Sequence, residues 1–347
     1  MRKHLARKAI LVLVVVGVAL ATAACGSSTT ATTTTTAAPS SSTTSTAPAM
    51  TTLKVALIEP SATNDLAFSE SMYNAIESLA ASDHLQIKVS ANEFIVSPDA
   101  ANIIREYASE GYNLVIAHGS QYGSIIQQLA PQFPKVSFAW GTAGATFGLP
   151  NVFAYEASSN EGGYVQGYMA AMLSKHHVLG VCGPIEVGDA KLYVDGFVAG
   201  AAAEDASITA HPVYTGSFSD DSLMATCAKT FVSDGADVLT GSSQSVVGAI
   251  GVAKADNLAW FGTQWDQSTL APSNVVSSQV YNWVPILQQM ITEIRAGKLG
   301  GATYVIGLGN AGEKIVFNPG YALPAAVKAE AEKLITNITT GTINVPQ

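Results

Sequence analysis

Leu53-Lys54-Val55-Ala56-Leu57-Ile58, the helix-spaced stretch from Phe68 to Ala81 and the short run from Leu85 to Val89 together decide the fold. A brief aliphatic run bounded by polar turns reads as a buried strand, and an amphipathic stretch between two such runs reads as a βαβ unit. The rhythm continues through a helical pattern at 100–110, the strand Leu114-Val115-Ile116-Ala117, a helix at 124–132 and the strand Val136-Ser137-Phe138-Ala139-Trp140. Apolar strands alternating with helices predict an α/β fold, a parallel sheet covered by helices on both faces.

After a glycine-rich patch from Gly141 to Pro150 the rhythm restarts. A helix is predicted from about Glu161 to Leu173, then a strand at 177–182, a helix at 190–203 and a strand at 208–215. A helix at 220–234, a strand at 237–240, a helix at 246–256 and a strand at 258–262 complete the second unit. Two doubly wound parallel-sheet lobes joined by a hinge would hold a ligand in the cleft between them, beyond the carboxyl ends of the strands. The expected divisions are lobe one at 53–150, lobe two at 151–262, and a crossover back to lobe one with the C-terminal segment at 263–347.

Upstream, Met1 to Lys8 is basic, Ala9 to Leu20 is an unbroken apolar run, and Ala21-Thr22-Ala23-Ala24-Cys25 follows. This is the layout of a secretory signal peptide over residues 1–24, with an apolar part too short to span a membrane. Cys25 after small residues resembles a bacterial lipobox, although Thr22 stands where Leu or Val is usual. Cys25 is therefore the candidate lipidation site, and the chain is expected to be exported and held at the cell membrane by lipid, facing the periplasm or the extracellular side. Residues 26–52 are almost wholly Ser, Thr, Ala and Pro, so segment 25–52 reads as a disordered tether.

The 347 residues are 48% hydrophobic and 12% charged, enough for substantial cores, with a net charge of -9. The first 25 carry four basic and no acidic side chains, so the processed chain would stand near -13. That balance argues against nucleic acid or an anionic membrane surface as partner. Beyond Cys25 only Cys182 and Cys227 remain; they either form one disulfide in an oxidising compartment or serve as two small buried hydrophobes.

Reactive motifs are scarce. Gly307-Leu308-Gly309-Asn310-Ala311-Gly312 spells a dinucleotide fingerprint, but a helix must begin there for pyrophosphate binding, and Glu313-Lys314-Ile315-Val316-Phe317 reads as a strand. A glycine-rich crossover is the better reading. No Gly-x-Ser-x-Gly elbow or P-loop occurs. His118-Gly119-Ser120 has no carboxylate near in sequence to orient the His, and His176-His177 lacks acidic or Cys partners at zinc spacing. No enzyme chemistry, metal or cofactor is expected.

Five segments in register resemble the basic membrane protein family of lipoproteins, the purine-nucleoside receptors of ABC importers. They are Asn64 to Ala75 (with Asp65, Phe68, Ser69 and Tyr73), Val115 to Tyr122, Glu161-Gly162-Gly163-Tyr164-Val165-Gln166-Gly167-Tyr168-Met169-Ala170-Ala171, Tyr214 to Asp220, and Gly262-Thr263-Gln264-Trp265-Asp266-Gln267. The resemblance runs from Lys54 to about Phe317. It implies a type I periplasmic-binding-protein fold whose cleft clamps a purine between aromatic rings. Stacking is worth about 0.5–1.5 kcal/mol per ring beyond area burial.

On that resemblance Phe68 holds the stacking position and Phe218 its opposing partner, with Trp265 and Trp140 as further aromatic candidates. Ser69 stands where the family has Asn. His118, Ser120 and Tyr122 leave the third strand of lobe one, and Ser243 and Gln244 leave the lobe-two strand ending at Thr240. Asp266 keeps the family's second carboxylate. Gln264 and Tyr281 replace the Asp and Lys expected near a ribose. Losing charged groups suited to sugar hydroxyls should loosen preference for ribose, so the cleft reads as narrowed for a free nucleobase or similar heterocycle. The expected protein is a lipid-anchored, monomeric solute receptor serving an ABC permease. An anchored sensor using the same cleft is the alternative, and a hydrolase a remote third.

Overall fold

The computed structural model describes residues 51–92 and 98–347, so the expected signal peptide, Cys25 and nearly all of the tether lie outside the described residues. In chain order the elements are β1 (Leu53–Ile58), α1 (Phe68–Leu79), β2 (Leu85–Ser90), α2 (Pro98–Ser109), β3 (Leu114–His118), α3 (Gly123–Leu129), β4 (Ser137–Gly141) and β5 (Val152–Ala157). There follow α4 (Ser159–Leu173), β6 (Leu179–Gly183), α5 (Gly188–Glu204), β7 (Pro212–Tyr214), α6 (Asp221–Ser233), β8 (Val238–Gly241), α7 (Val246–Ala255) and β9 (Ala259–Gly262). The last are β10 (Val275–Tyr281), α8 (Val284–Arg295), β11 (Ala302–Ile306), β12 (Glu313–Phe317) and α9 (Ala325–Thr339).

Two six-stranded sheets result, ordered β11-β5-β4-β3-β1-β2 and β12-β10-β9-β8-β6-β7. Every pairing is parallel except that of β12 with β10. Alternation along β1 shows why this stretch carries the fold. Val55 and Leu57 enter a core with α1 and α8, while Ala56 and Ile58 enter the opposite core with α2 and α3. A strand buried on both faces has no polar side to spare, which is why it reads as a continuous apolar run. The second sheet repeats the plan, with α4, α5 and α9 over one face and α6 and α7 over the other.

Helices α4 and α5 pack backbone to backbone. A methyl group added at Gly167 would strike the Phe197 carbonyl, one at Gly200 the Tyr164 carbonyl, and one at Gly196 the Asn160 carbonyl. The Glu161-to-Ala171 motif therefore serves helix packing, and the Glu161 carboxylate accepts from the Leu308 N–H at 2.8 Å.

Several boundaries differ from expectation. β5 pairs with β4, so the chain leaves the first lobe after Ala157 rather than at 150. The loop between β4 and β5 contains no helix, so the rhythm gave no sign of that strand. β10 extends the second sheet past 262, and after α8 and β11 return to lobe one, β12 and α9 join lobe two. Among the described residues the chain thus crosses between lobes three times: after β5, after β10 and after β11. The last crossing is the Gly307–Gly312 stretch, a single 3-10 turn leading into β12. No helix starts there, as the sequence implied. Cys182 of β6 and Cys227 of α6 are joined as a disulfide, Cα atoms 6.1 Å apart, which resolves the open pair.

Candidate functional site

The carboxyl ends of the parallel strands face one another across the interlobe cleft, where a narrow cavity of about 20 Å³ remains. That is room for about one water molecule. Lobe one lines it with Pro60, Phe68, Gly119, Ser120, Gln121 and Thr142; lobe two contributes Val187, Asp189, Ala190, Phe218, Ser242, Gln244 and Gln264.

Phe68 opens α1 and is buried, its ring stacked on the His118 imidazole with centroids 3.8 Å apart and planes 9° from parallel. His118 Nε2 lies 3.2 Å from the Phe68 carbonyl and Nδ1 lies 2.8 Å from the Tyr155 hydroxyl. A carbonyl only accepts, so Nε2 carries the proton and Nδ1 accepts from the Tyr155 O–H. Complete burial pushes the His118 pKa down to about 3, leaving the ring neutral. His118 is thus a rigid neutral plate behind Phe68, with no free edge for proton transfer.

Phe218 reaches the cavity from the opposite lobe on the loop before α6. Its carbonyl accepts from Ser243 Oγ at 2.8 Å and Ser245 Oγ at 3.1 Å, so these serines fix the aromatic loop. Gln244 and Gln264 line the cavity, and their Oε1 atoms have no partner among the described residues. Gln264 takes a left-handed backbone, φ 69°, and its carbonyl accepts from the Tyr281 N–H at 3.2 Å.

Of the thirteen residues expected at the ligand, Phe68, Ser120, Phe218, Gln244 and Gln264 line the cavity. His118 and Ser243 stand directly behind the two phenylalanines. The other six lie elsewhere. The Ser69 hydroxyl accepts from the Ser61 N–H at 3.1 Å, which ties down the loop before α1. Tyr122 is fully buried in the core beneath α3. Trp140 stacks on Phe147 at 4.5 Å and donates to the Gly119 carbonyl at 3.2 Å. Trp265, Asp266 and Tyr281 line a separate groove of about 420 Å³, between α1 and the β10–β12 side of lobe two, although the buried Tyr281 hydroxyl stands beside the Asp189 carboxyl. The polypeptide turns sharply after Gln264, with the Trp265 N–H bonded back to the Thr263 carbonyl at 2.8 Å. Neighbours in sequence therefore part company.

Two acids escaped the sequence reading. Asp189 lies near the N-terminus of α5, 6% exposed, and lines the cavity. Its Oδ1 accepts from Thr142 Oγ1 of lobe one at 3.2 Å, and burial pushes its pKa up to about 6. Glu59, just past β1, is fully buried with neither carboxyl oxygen partnered among the described residues. Burial, then the nearby Asp65, raises it to about 9, so it is uncharged at neutral pH. Asp189 was legible in principle, because it follows the turn after β6 as Ser120 follows β3. Among the described residues no cluster of His, Cys, Asp and Glu could hold a metal ion, and no helix is long and apolar enough to cross a membrane.

The model of the Bmp family, described as ABC transporter substrate-binding protein PnrA-like, matches residues 52–347. The chain belongs to that family. A solute-binding protein of an ABC transporter system from Conexibacter woesei superposes on this Bmp-family chain with a TM-score of 0.68 at 25% identity, covering 85% of this chain and 98% of its own. The fold is that of the type I periplasmic binding proteins. A purine-binding protein of Brucella abortus is 27% identical over 246 residues, 71% of this chain and 69% of its own. The transcriptional activator protein Med of Bacillus subtilis is 27% identical over 253 residues, 72% of this chain and 78% of its own. This Bmp-family protein is accordingly a substrate-binding protein of the ABC-transporter type.

Proposed function

We propose that this protein closes its lobes on a flat, purine-like heterocycle and presents it to an ABC permease, with no chemistry of its own. The observation that carries this reading is the pair of phenylalanines, Phe68 from one lobe and Phe218 from the other, lining one narrow cavity. Each is braced from behind, Phe68 by the neutral His118 plate and Phe218 by two serine hydroxyls on its carbonyl. A planar ring is held well by such surfaces, and the amides of Gln244 and Gln264 can donate and accept along its edge. The Brucella relative, named for purine binding, supports the same ligand class.

A free nucleobase is favoured over a nucleoside. That preference rests on the uncharged Gln264 at the cavity wall, where a carboxylate would suit sugar hydroxyls. The protein acts as a monomer outside the cytoplasm, tethered through Cys25. The Bacillus relative named as a transcriptional activator favours a second reading, a ligand sensor with the same cleft.

The test is thermal unfolding of the purified protein with nucleobases, nucleosides, sugars and amino acids. A ligand at a hundred times its dissociation constant adds about 2.7 kcal/mol of stability. Stabilisation by nucleobases and not by their nucleosides supports the reading; stabilisation by nucleosides alone overturns the nucleobase preference. No response to any purine overturns the ligand class. Reconstituted uptake with a permease, against a transcriptional response without uptake, separates importer from sensor.

A further inference from the structure

Asp189 is the charged residue of the cavity wall, and it ties the lobes together. Its Oδ1 accepts from Thr142 Oγ1 across the cleft, while Oδ2 has no partner within hydrogen-bonding geometry among the described residues. The Tyr281 hydroxyl and the backbone N–H groups of Asp189 and Ala190 also face the carboxyl and favour its charged form against the effect of burial. Asp189 is itself 6% exposed. Its backbone carbonyl is clamped by Ser159 Oγ at 2.5 Å, so the side chain springs from a fixed point. The preceding Gly188 has φ 55°, and a Cβ there would press on Thr142 Oγ1. The close approach of the two lobes at this point is thus built into the backbone.

A buried carboxylate is an acceptor with two parallel oxygens, and leaving one unpaired costs free energy unless a donor arrives. The α5 N-terminus favours negative charge at this position. Ser242, Gln244 and Gln264 bring further unpartnered oxygens to the same cavity. A ligand rich in N–H donors on one edge satisfies this wall; one that offers only acceptors does not.

Resting on the reading of the cleft as a heterocycle site, we propose that Asp189 determines specificity by exchanging its bond to Thr142 for paired N–H donors on the ligand's edge. The ligand class is a purine with adjacent ring and exocyclic N–H groups, the lactam–amine edge that guanine carries and adenine lacks. Thr142 then serves as the placeholder partner that holds the carboxylate in position until the ligand takes it over.

The experiment measures binding of guanine, hypoxanthine and adenine by calorimetry and thermal unfolding, using wild type, Asp189→Asn and Thr142→Val. Wild type should bind guanine most tightly. Asp189→Asn should lose about tenfold or more toward guanine, as expected when one hydrogen bond to a charged group becomes a mismatch. The same variant should narrow the guanine–adenine difference. Thr142→Val keeps the carboxylate and removes its competitor, so guanine should bind as well as or better than to wild type. Unchanged guanine affinity in Asp189→Asn overturns the role of Asp189. Equal losses in both variants make the pair a structural tie between lobes and overturn it too. No purine binding by wild type overturns the underlying heterocycle reading, an outcome distinct from either.

Discussion

The ring of Phe68 lies flat on the imidazole of His118, centroids 3.8 Å apart, and the same imidazole is bonded at both nitrogens, to the Phe68 carbonyl and the Tyr155 hydroxyl. His118 therefore fixes both the side chain and the backbone of the residue that faces the cleft. Trp283 meets both rings edge-on, at 6.4 Å from Phe68 and 5.6 Å from His118, and its Nε1–H donates to Ser71 Oγ at 2.9 Å. A ring so enclosed has lost its side-chain freedom in advance, and binding need not order it again.

Phe68→Leu keeps most of the apolar volume and removes the stacking face. Heterocycle affinity should fall about three- to tenfold, the equivalent of the stacking increment. Trp265→Ala, in the other groove, should leave that affinity unchanged. Calorimetry on the two variants decides: equal losses would mean that both aromatics contact the ligand.

The neutral His118 predicts acid sensitivity. Its folded pKa, about 3, lies below its ordinary value of 6.5, so the stability it contributes is present above pH 6.5 and is lost as pH falls toward 3. Glu59 works in the opposite sense. Its folded pKa of about 9 exceeds 4.5, so its contribution is full below pH 4.5 and lost as pH rises through 9. Glu59→Gln should raise the melting temperature at pH 8 and change it little at pH 4.5. A variant equally stable with wild type at both pH values would contradict the burial argument.

Gly167→Ala and Gly200→Ala each insert a methyl group into a backbone carbonyl of the facing helix. Overpacking of this kind costs about 1–3 kcal/mol. Gly251→Ala, where nothing lies within 4 Å, should be neutral or slightly stabilising because alanine favours helix. Chemical denaturation of the three variants gives the comparison.

The Cys182–Cys227 bond closes a loop with a sequence separation of 45. Cys182→Ala with Cys227→Ala should lower stability by about 2–4 kcal/mol and leave ligand affinity within twofold or so, because neither sulfur lines the cleft. Mass spectrometry with and without reductant reports whether the bond is present in the purified protein. Reductant that leaves the wild-type melting temperature unmoved would count against it.

How much was legible varied by element. The strands β1, β3 and β4 announced themselves because a strand buried on both faces must be apolar throughout. β5 did not, since it follows β4 without a helix between them. Nor did β10, whose Ser277-Ser278-Gln279 interior reads as polar although every residue of the strand is buried. The buried amides and hydroxyls there find partners that no local pattern reveals, such as Gln166 Nε2 to Ser277 Oγ at 3.3 Å and Gln279 Nε2 to the Ser159 carbonyl at 3.0 Å.

By itself the sequence determined the two-lobed α/β plan and the glycine-rich crossover at 307–312, and its motifs carried the family resemblance from which Phe68 and Phe218 were expected at the ligand. The plan and the crossover follow from local periodicity and turn composition, whereas the roles of the two phenylalanines are what the resemblance implies. Only the tertiary structure decided which side chains reach the cavity. Gln264 and Trp265 are consecutive, yet a left-handed turn sends one to the cleft and the other to the groove beside α1. Asp189 acquired its place from Thr142, 47 residues away on the other lobe. The direction of a side chain at a strand end depends on register, turn handedness and the approach of the opposite lobe. None of these is encoded in the spacing of apolar residues.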